Sequence, residues 1–470
     1  MNCNHKCFSY LHPHFVIWLV FFTITLFIII LVQIIFLPYL FSSWHAGDGL
    51  LKGGDWVAFH GAAVELAYQI DTIGWKAWEL RPTGWMPVGV AGALYALTWT
   101  KPWVLAPLNA AIHATTALLV IKILLLFTEN LRAAVIAAIP FAFFPSAMLW
   151  YTQIHRDGYN ILGMIMFIFG VLKLFTPDSN TGQQRCTEVL GFLAAISGIL
   201  LIWLVRPYAL NIFYYVFILI ALLMILYLAV LVIQRKTHFK SLLIKILLLG
   251  LILLVIFSLS DTEGTSKYQR GPLIEEDPLL IKEFTEKTST DEDYHWVRTE
   301  WLPGAIDNHL YSMAVIRSVE FPEIYGETAS GIDYNISLHS FTDYLFYLPR
   351  SLQIAFFAPF PGDWFKEGKY DSTTFFRKVS AFEMLFIYVA LIALAYGVWV
   401  WRKKIETYLL LTFCTIMMLP IVFTVPNVGT IYRYRYGYLM LLVSLGVAAF
   451  YQLFQASRGK KEIEKVISRE

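Results

Sequence analysis

The sequence FVIWLVFFTITLFIIILVQIIFLPYLF, residues Phe15–Phe41, decides the fold class of this chain. It carries no charged side chain, and it is longer than the roughly 20 apolar residues that a helix needs to cross a bilayer. It is also too long for the core of a signal peptide, and no small-residue cleavage site follows it. We therefore interpret it as a retained signal-anchor helix that spans the membrane.

Apolar blocks of similar length recur along the whole chain. They lie near residues 103–127, 132–151, 159–175, 188–205, 208–234, 242–260, 380–401, 407–425 and 436–455. Of all residues, 58% are hydrophobic and only 15% are charged, whereas a soluble domain carries about 25% charged residues. The sequence thus predicts an all-α polytopic membrane protein with about ten transmembrane helices. It excludes a soluble enzyme and a disordered scaffold, and the net charge of +2 indicates no nucleic-acid partner.

Three basic clusters orient the predicted spans, because positively charged loops stay on the cytoplasmic side. The clusters are Arg402–Lys404, the C-terminal tail with Lys460 and Lys461, and Arg235–Lys245. Ten spans place all three clusters and both termini in the cytoplasm. As an eleventh span, the short block 85–99 would leave the N-terminus outside, so we predict that it is an interfacial or re-entrant helix.

This topology divides the chain into three segments. Residues 1–260 form an N-terminal transmembrane module that includes a first extracytoplasmic loop, 42–102. Residues 261–377 form one large extracytoplasmic loop region, in which the apolar stretch 341–360 is broken by prolines and is predicted to lie in the membrane interface. Residues 378–470 supply the last transmembrane helices and a basic cytoplasmic tail.

Charged residues collect at the predicted extracytoplasmic ends of the helices, where ionisable groups mark functional sites. The first loop contains Asp48 and Asp55, both beside glycines, together with His45 and His60. Glycine lets the backbone approach a ligand closely. An amphipathic pattern follows Asp55, so this residue is a candidate either for a catalytic carboxylate or for the cap of a helix.

A second charged group, His155-Arg156-Asp157, lies between the predicted third and fourth spans. Three ionisable side chains in so short a loop are costly at a membrane boundary, which favours a function for them. Asp157 could also cap the helix that follows.

Arginines stand at three further boundaries. Arg206 joins the predicted fifth and sixth spans, Arg433 and Arg435 precede the last span, and Arg350 lies in the interfacial stretch. A guanidinium group binds phosphate in bidentate fashion, so these residues can hold a lipid-linked phosphate. Snorkelling to headgroups, or an aromatic belt of alternating Tyr and Arg, accounts for them equally well.

Together these features resemble the GT-C superfamily of integral-membrane glycosyltransferases, which includes protein O-mannosyltransferases, aminoarabinose transferases of lipid A and proteins of bacterial polysaccharide clusters. Asp55 with Val57–His60 is similar to the acidic start of the family's amphipathic helix after the first span. Arg81–Val90 resembles its Pro-rich interfacial helix, and His155–Asp157 lies where its second acidic signature is found. Asn427–Arg435 looks like the corresponding segment of the polysaccharide-cluster members.

The resemblance implies an inverting transfer of a sugar from a polyprenyl-phosphate-linked donor to a hydroxyl of a glycan or lipid acceptor, on the extracytoplasmic side. Asp55 would act as the base, with Asp48 as the alternative. Asp157 would orient the acceptor or hold a Mg²⁺ or Mn²⁺ ion. The remaining candidates would bind the donor phosphate, namely Arg206, Arg433, Arg435, Arg156 and Arg350, or would support the acceptor or the loop, namely His45, His60 and His155.

Other functions stay open at this point. A polysaccharide polymerase or ligase also uses extracytoplasmic arginines and a large late loop, and an assembly subunit without catalytic activity fits as well. A transporter or flippase of lipid-linked saccharides would carry charges along a path in the middle of its spans, and these spans are nearly free of charge there. A single predicted exterior glycosylation sequon, Asn335-Ile-Ser337, favours a bacterial inner membrane as the location.

Overall fold

The computed structural model describes residues 4–175, 181–234, 239–260, 294–325, 330–368 and 370–467. The first half contains a small hairpin of β1 (His45–Gly47) and β2 (Leu50–Leu51) and the helices α1 (Asn4–Ile30), α2 (Asp55–Ile73), α3 (Met86–Leu97), α4 (Ala106–Thr128), α5 (Leu131–Phe143), α6 (Pro145–Thr152), α7 (Asp157–Phe175), α8 (Thr181–Val205), α9 (Ala209–Ile233) and α10 (Phe239–Leu259). The second half contains α11 (Gly304–Val315), α12 (Phe321–Tyr325), α13 (Phe341–Phe357), α14 (Asp371–Val400), α15 (Ile405–Thr424), α16 (Val428–Tyr434) and α17 (Tyr436–Ile467). Residues 261–293 of the predicted large loop lie outside the described residues.

Within these ranges, eight helices are long and apolar enough to cross a membrane. They cover Pro13–Leu40, Pro102–Thr128, Asp157–Phe175, Cys186–Val205, Ala209–Ile233, Asp371–Val400, Ile405–Thr424 and Tyr436–Ser457. This confirms the predicted fold class, an all-α polytopic membrane protein.

Two of the ten predicted spans differ from the helices in the structure. The predicted span 132–151 is divided into α5 and α6, which are bent by 63° relative to each other. Pro145 begins α6, and because proline has no amide hydrogen and a fixed φ, the ladder of α5 does not run on through it. The predicted span 242–260 coincides with α10, but the apolar stretch Leu243–Leu259 within it is shorter than the eight helices counted as spans. The count among the described residues is therefore eight, or nine if the bent pair is one span.

The predicted interfacial block 85–99 forms α3, which has 12 residues and is short for a crossing. It packs along α2: a Cβ atom built on Gly92 would lie 2.7 Å from Cδ2 of Leu66. Ala91 and Tyr95 are buried on the same helix. The short length of α3 agrees with its exclusion from the predicted spans.

The chain divides into two compact units. The first comprises residues 1–263, 386–411 and 440–470, and the second comprises residues 264–385 and 412–439.

In the first unit, α7 and α8 pack closely through glycines. A Cβ atom on Gly198 would lie 2.4 Å from the carbonyl oxygen of Gly163, and one on Gly170 would lie 2.4 Å from that of Gly191. Neither position has room for a larger side chain, and small residues of this kind let the backbones of membrane helices approach each other. Because the two helices are antiparallel, the start of α7 meets the end of α8.

In the second unit, α13 is an amphipathic helix with Ser340 as its N-cap, whose hydroxyl accepts a hydrogen bond from the Asp343 amide at 3.3 Å. Its buried side contacts the end of α15, where the rings of Tyr344 and Phe423 are 5.0 Å apart. Its outer side exposes Phe346. Phe341–Phe357 is not among the eight helices that are long and apolar enough to cross a membrane, and its position in the interface stays a prediction.

Candidate active site

The site in the first unit is built on the turn that follows α6. Gln33 of the first span donates to the carbonyl oxygen of Thr152 at 2.5 Å, and Asn109 of α4 donates to that of Tyr151 at 3.0 Å. The side-chain oxygen of Gln153 accepts a hydrogen bond from the amide of Leu51 at 3.0 Å. Two predicted spans and the β-hairpin therefore fix this turn from three sides.

A buried charged cluster joins this turn, residues 153–157, to the end of α8. The guanidinium group of Arg206 donates to Oδ1 of Asp157, and Nδ1 of His155 lies 3.0 Å from Oδ2 of the same carboxylate. Nδ1 of His155 also accepts a hydrogen bond from the Asp157 amide at 3.1 Å. All three residues are at most 4% exposed. Opposite charges that are buried together compensate each other, whereas either one alone would be strongly destabilising.

The helix geometry explains why Asp157 meets Arg206. Asp157 is the first residue of α7, and Arg206 directly follows α8, so the glycine contacts between the two helices bring both residues to the same end. Pro207 follows, and because a residue before proline avoids the helical region, α8 ends here. The predicted second signature and the predicted Arg206 site are thus one cluster.

The first loop brings a second group of candidates together. Oδ1 of Asp48 lies 2.5 Å from Nζ of Lys101, and Oδ2 lies 3.3 Å from Nε2 of His60. Nδ1 of His60 is 2.9 Å from the hydroxyl of Tyr95. His45 stabilises the hairpin from within, because its Nε2 accepts a hydrogen bond from the amide of Gly49 at 2.8 Å.

These contacts change the acidity of the loop residues. The hydrogen bond from Lys101 lowers the pKa of Asp48 below its ordinary value. Burial lowers the pKa of His60, although Asp48 acts in the opposite direction. Burial also raises the pKa of Tyr95. Asp48 is therefore an ion-paired, weakly basic carboxylate, and His60 favours its neutral form.

Asp55 is the first residue of α2 and is half-buried. The indole of the next residue, Trp56, folds back to donate to the carbonyl oxygen of Leu51, and its ring centre lies 5.8 Å from that of His155. One turn further on, the Arg156 guanidinium lies 6.0 Å from the ring centre of Phe59. The start of α2 therefore lies on the 153–157 turn.

Two of the glycines beside the aspartates, Gly49 and Gly54, pack against other parts of the protein. A Cβ atom on Gly54 would lie 2.2 Å from Cζ2 of Trp56, and one on Gly49 would lie 2.6 Å from the carbonyl oxygen of Gln33. Gly49 also has a φ of +80°, which side chains rarely adopt. Packing alone accounts for these two glycines, which the sequence interpretation had connected with a ligand.

The other predicted arginines belong to the second unit. Arg350 binds both oxygens of Asp333, at 2.9 Å from Nε and 3.1 Å from Nη2. Arg435 is fully buried and donates to the carbonyl oxygens of Ile354, Ala355 and Ala358 at the end of α13. Arg433 is half-buried, and its guanidinium lies 5.1 Å from the ring centre of Tyr434.

Several residues that the sequence interpretation did not select take part in these groups. They are Gln153, Lys101 and Tyr95 in the first unit and Arg317 and Asp333 in the second. Lys101 could have been found as the charge directly before the second span, and Gln153 as the polar residue that opens the His155 motif. No local pattern singles out Asp333, whose role depends on a partner on another helix.

The proposed Mg²⁺ or Mn²⁺ ion finds little support in the donor set. Among the described residues, no group of three or more His, Cys, Asp or Glu side chains could hold a metal ion. Asp157, the residue predicted as a ligand, already contacts the cationic Arg206. These residues do not fit a resident divalent cation, so we derive no step through one.

Comparison of the chain with protein-family models, curated proteins and solved structures finds no match.

Proposed function

We propose that this protein transfers a sugar from a polyprenyl-phosphate-linked donor to a hydroxyl of a glycan or lipid acceptor, at the extracytoplasmic face of a bacterial inner membrane. The observation that carries the proposal is the contact between α2 and the 153–157 turn. It brings the half-buried Asp55 and the half-buried Arg156 to neighbouring elements, and Arg156 directly precedes Asp157 of the buried Asp157–Arg206 pair.

In this reaction, Asp55 is the base. Its carboxylate accepts the proton of the acceptor hydroxyl while the acceptor oxygen attacks the anomeric carbon. The bond between that carbon and the donor's phosphate oxygen breaks, and the phosphate leaves with the electron pair. Attack from the face opposite the phosphate inverts the configuration.

The negative charge of the leaving phosphate needs a cation nearby. Arg206 is almost fully buried against Asp157, so we assign it to hold that carboxylate and the 153–157 turn in place. Arg156 is the more suitable candidate, because it is partly exposed and lies against Phe59 of α2. Asp157 then acts as a positioning residue, since it is only 2% exposed.

The experiment is transfer of radiolabel from a polyprenyl-phosphate sugar pool by the purified protein in detergent. Asp55→Asn removes the base while it keeps the size of the side chain, so we expect transfer to be lost. Asp71→Asn is the matched control, because it makes the same change at an exposed position of the same helix. Near-normal transfer by Asp55→Asn would exclude Asp55 as the base. Binding of lipid-linked saccharide without transfer by the wild type would instead favour a polymerase or a flippase.

A further inference from the structure

Three arginines of the second unit converge on the short turn Ser330–Asp333. Nη2 of Arg377 donates to the hydroxyl of Ser330 at 2.6 Å, and Nη2 of Arg317 donates to the carbonyl oxygen of Asp333 at 2.8 Å. Arg350 binds the Asp333 carboxylate through two nitrogens. Three guanidinium groups thus bind one short turn, and only that of Arg350 binds its carboxylate. These four charged groups together carry a net charge of +2.

Arg317 has a structural role in this cluster. It is 2% exposed, and it also donates to the carbonyl oxygens of Ile336 and Val422 and lies 3.2 Å from the Tyr347 hydroxyl. These bonds hold the turn in a fixed position. Asp333 itself has a φ of +51°, in the left-handed region that aspartate tolerates better than most residues.

Arg350 and Arg377, by contrast, are partly exposed. The Arg350 side chain is 38% exposed, and Arg377 is half-buried. Asp333 and the ring of Phe360, whose centre lies 5.0 Å away, fix the plane of the Arg350 guanidinium. Ser330 and Asp333 are three residues apart, so their Cα atoms lie within about 11 Å of each other. Both cations therefore border the same short turn.

The helices that carry Arg350 and Arg377 contact, or form, the ends of candidate spans. Tyr344 of α13 contacts Phe423, the second-last residue of α15. Arg435 directly precedes α17 and binds the last carbonyl oxygens of α13. Arg377 lies in the second turn of the candidate span Asp371–Val400. Arg350 and Arg377 thus lie near the ends of candidate spans, and at such ends we expect lipid headgroups.

The surface next to Arg350 is apolar. On the outer side of α13, Leu345, Phe346 and Phe357 are 52%, 81% and 42% exposed. Phe346 precedes Arg350 by one helical turn, so the two side chains lie on neighbouring positions of the helix surface. An amphipathic helix with this composition buries its apolar side among the upper parts of acyl chains.

We propose that Arg350 and Arg377 bind the phosphate of an anionic phospholipid across the Ser330–Asp333 turn, with its acyl chain against the exposed side of α13. A guanidinium group carries five N–H donors, so Arg350 keeps donors for a phosphate oxygen beside its hydrogen bonds to Asp333 and Gln353. The net positive charge of the cluster favours an anionic lipid over a zwitterionic one. This site does not depend on the proposed transfer reaction.

The test compares thermal unfolding of the full-length protein in phosphatidylcholine nanodiscs with and without phosphatidylglycerol. A lipid that binds only the folded protein raises its melting temperature. We expect phosphatidylglycerol to raise the melting temperature of the wild type and to have little effect on the Arg350→Gln/Arg377→Gln variant. Arg132→Gln, an exposed residue of the first unit, makes the same change of charge elsewhere and should keep the wild-type response.

Native mass spectrometry of phosphatidylglycerol binding gives a second readout. Loss of one charge-assisted hydrogen bond at each arginine should weaken binding by about tenfold or more. If the double variant does not fold, Arg377→Gln alone replaces it in both measurements, since it leaves the Arg350–Asp333 pair intact. Equal affinity of wild type and variants for phosphatidylglycerol would overturn the proposal. Displacement of the lipid by inorganic phosphate at equal affinity would overturn it as well, because the site would then bind free phosphate.

Discussion

Arg206 donates a hydrogen bond to Asp157 although 49 residues separate them in sequence, and both side chains are almost fully buried. The pair joins the start of α7 to the end of α8, directly beside the turn on which α2 lies. A charged pair in this position links the packing of two candidate spans to the geometry of the proposed active site.

We expect Asp157→Asn to lower the free energy of unfolding by about 3–5 kcal/mol, because it leaves the buried Arg206 charge without compensation. The measurement is a denaturant titration of the purified protein in detergent. The double variant Asp157→Asn/Arg206→Met removes both charges and should recover part of the loss. If Asp157→Asn is as stable as the wild type, the two charges do not depend on each other.

The close contact of α7 and α8 predicts that Gly198→Ala destabilises the protein. The added Cβ atom would lie 2.4 Å from the Gly163 carbonyl oxygen, and overpacking of this kind costs about 1–3 kcal/mol. Gly250→Ala in α10 is the matched control: no atom lies within 4 Å of the added Cβ atom, and alanine is the better helix former. Melting temperatures in the same detergent compare the two. Equal effects of both substitutions would show that the contact is not tight.

The lowered pKa of His60 predicts that the free energy of unfolding depends on pH. Burial lowers its pKa, so below its ordinary value of 6.5 the unfolded chain binds a proton before the folded protein does. Folding stability should therefore fall as the pH decreases through 6.5, and His60→Gln should remove this part of the decrease. The lowered pKa of Asp48 acts only in more acidic solution, where the pH falls through that residue's ordinary value of 3.8.

The measurement is the melting temperature of wild type and His60→Gln between about pH 8 and pH 5, the range in which histidine changes its charge. Parallel curves for the two proteins would contradict the assignment of the pH dependence to His60.

Arg156→Gln should reduce the rate of transfer and raise the KM for the lipid-linked donor. Loss of a charge-assisted hydrogen bond to phosphate corresponds to about a tenfold effect or more. Arg156→Lys keeps the charge but not the planar donor pair, so its rate and its KM should lie between those of the wild type and those of Arg156→Gln. Transfer assays with varied donor concentration give both constants. An unchanged KM and an unchanged rate in Arg156→Gln would remove Arg156 from the proposed donor site.

Sequence patterns predicted α2 and most of the long apolar helices. The amphipathic pattern after Asp55 became α2, with Phe59, Ala63, Leu66 and Ile70 all buried on one side. The prediction failed at Pro145, where an apolar block that is long enough to cross a membrane is bent by 63°. Apolar composition shows that a segment is buried in a bilayer or in a core. It does not show whether the segment runs straight or changes direction.

The arginines show where local patterns are insufficient. Arg433 and Arg435 occur in the same Tyr-Arg repeat, yet Arg433 lies against a neighbouring ring while Arg435 is fully buried and binds the end of α13. Side chains two positions apart on a helical segment point in different directions. Only the packing around each of them decides between an interfacial residue and a structural one.

The sequence by itself determined that this is an all-α membrane protein and where most of its long apolar helices lie, because apolar length and helical period are properties of consecutive residues. The tertiary structure decided the partners: Asp157 with Arg206, Asp48 with Lys101 and His60, and Asp333 with Arg350. These pairs form between distant residues. They depend on how closely the helices pack and on which helix ends meet. Neither property can be read from a single stretch of sequence.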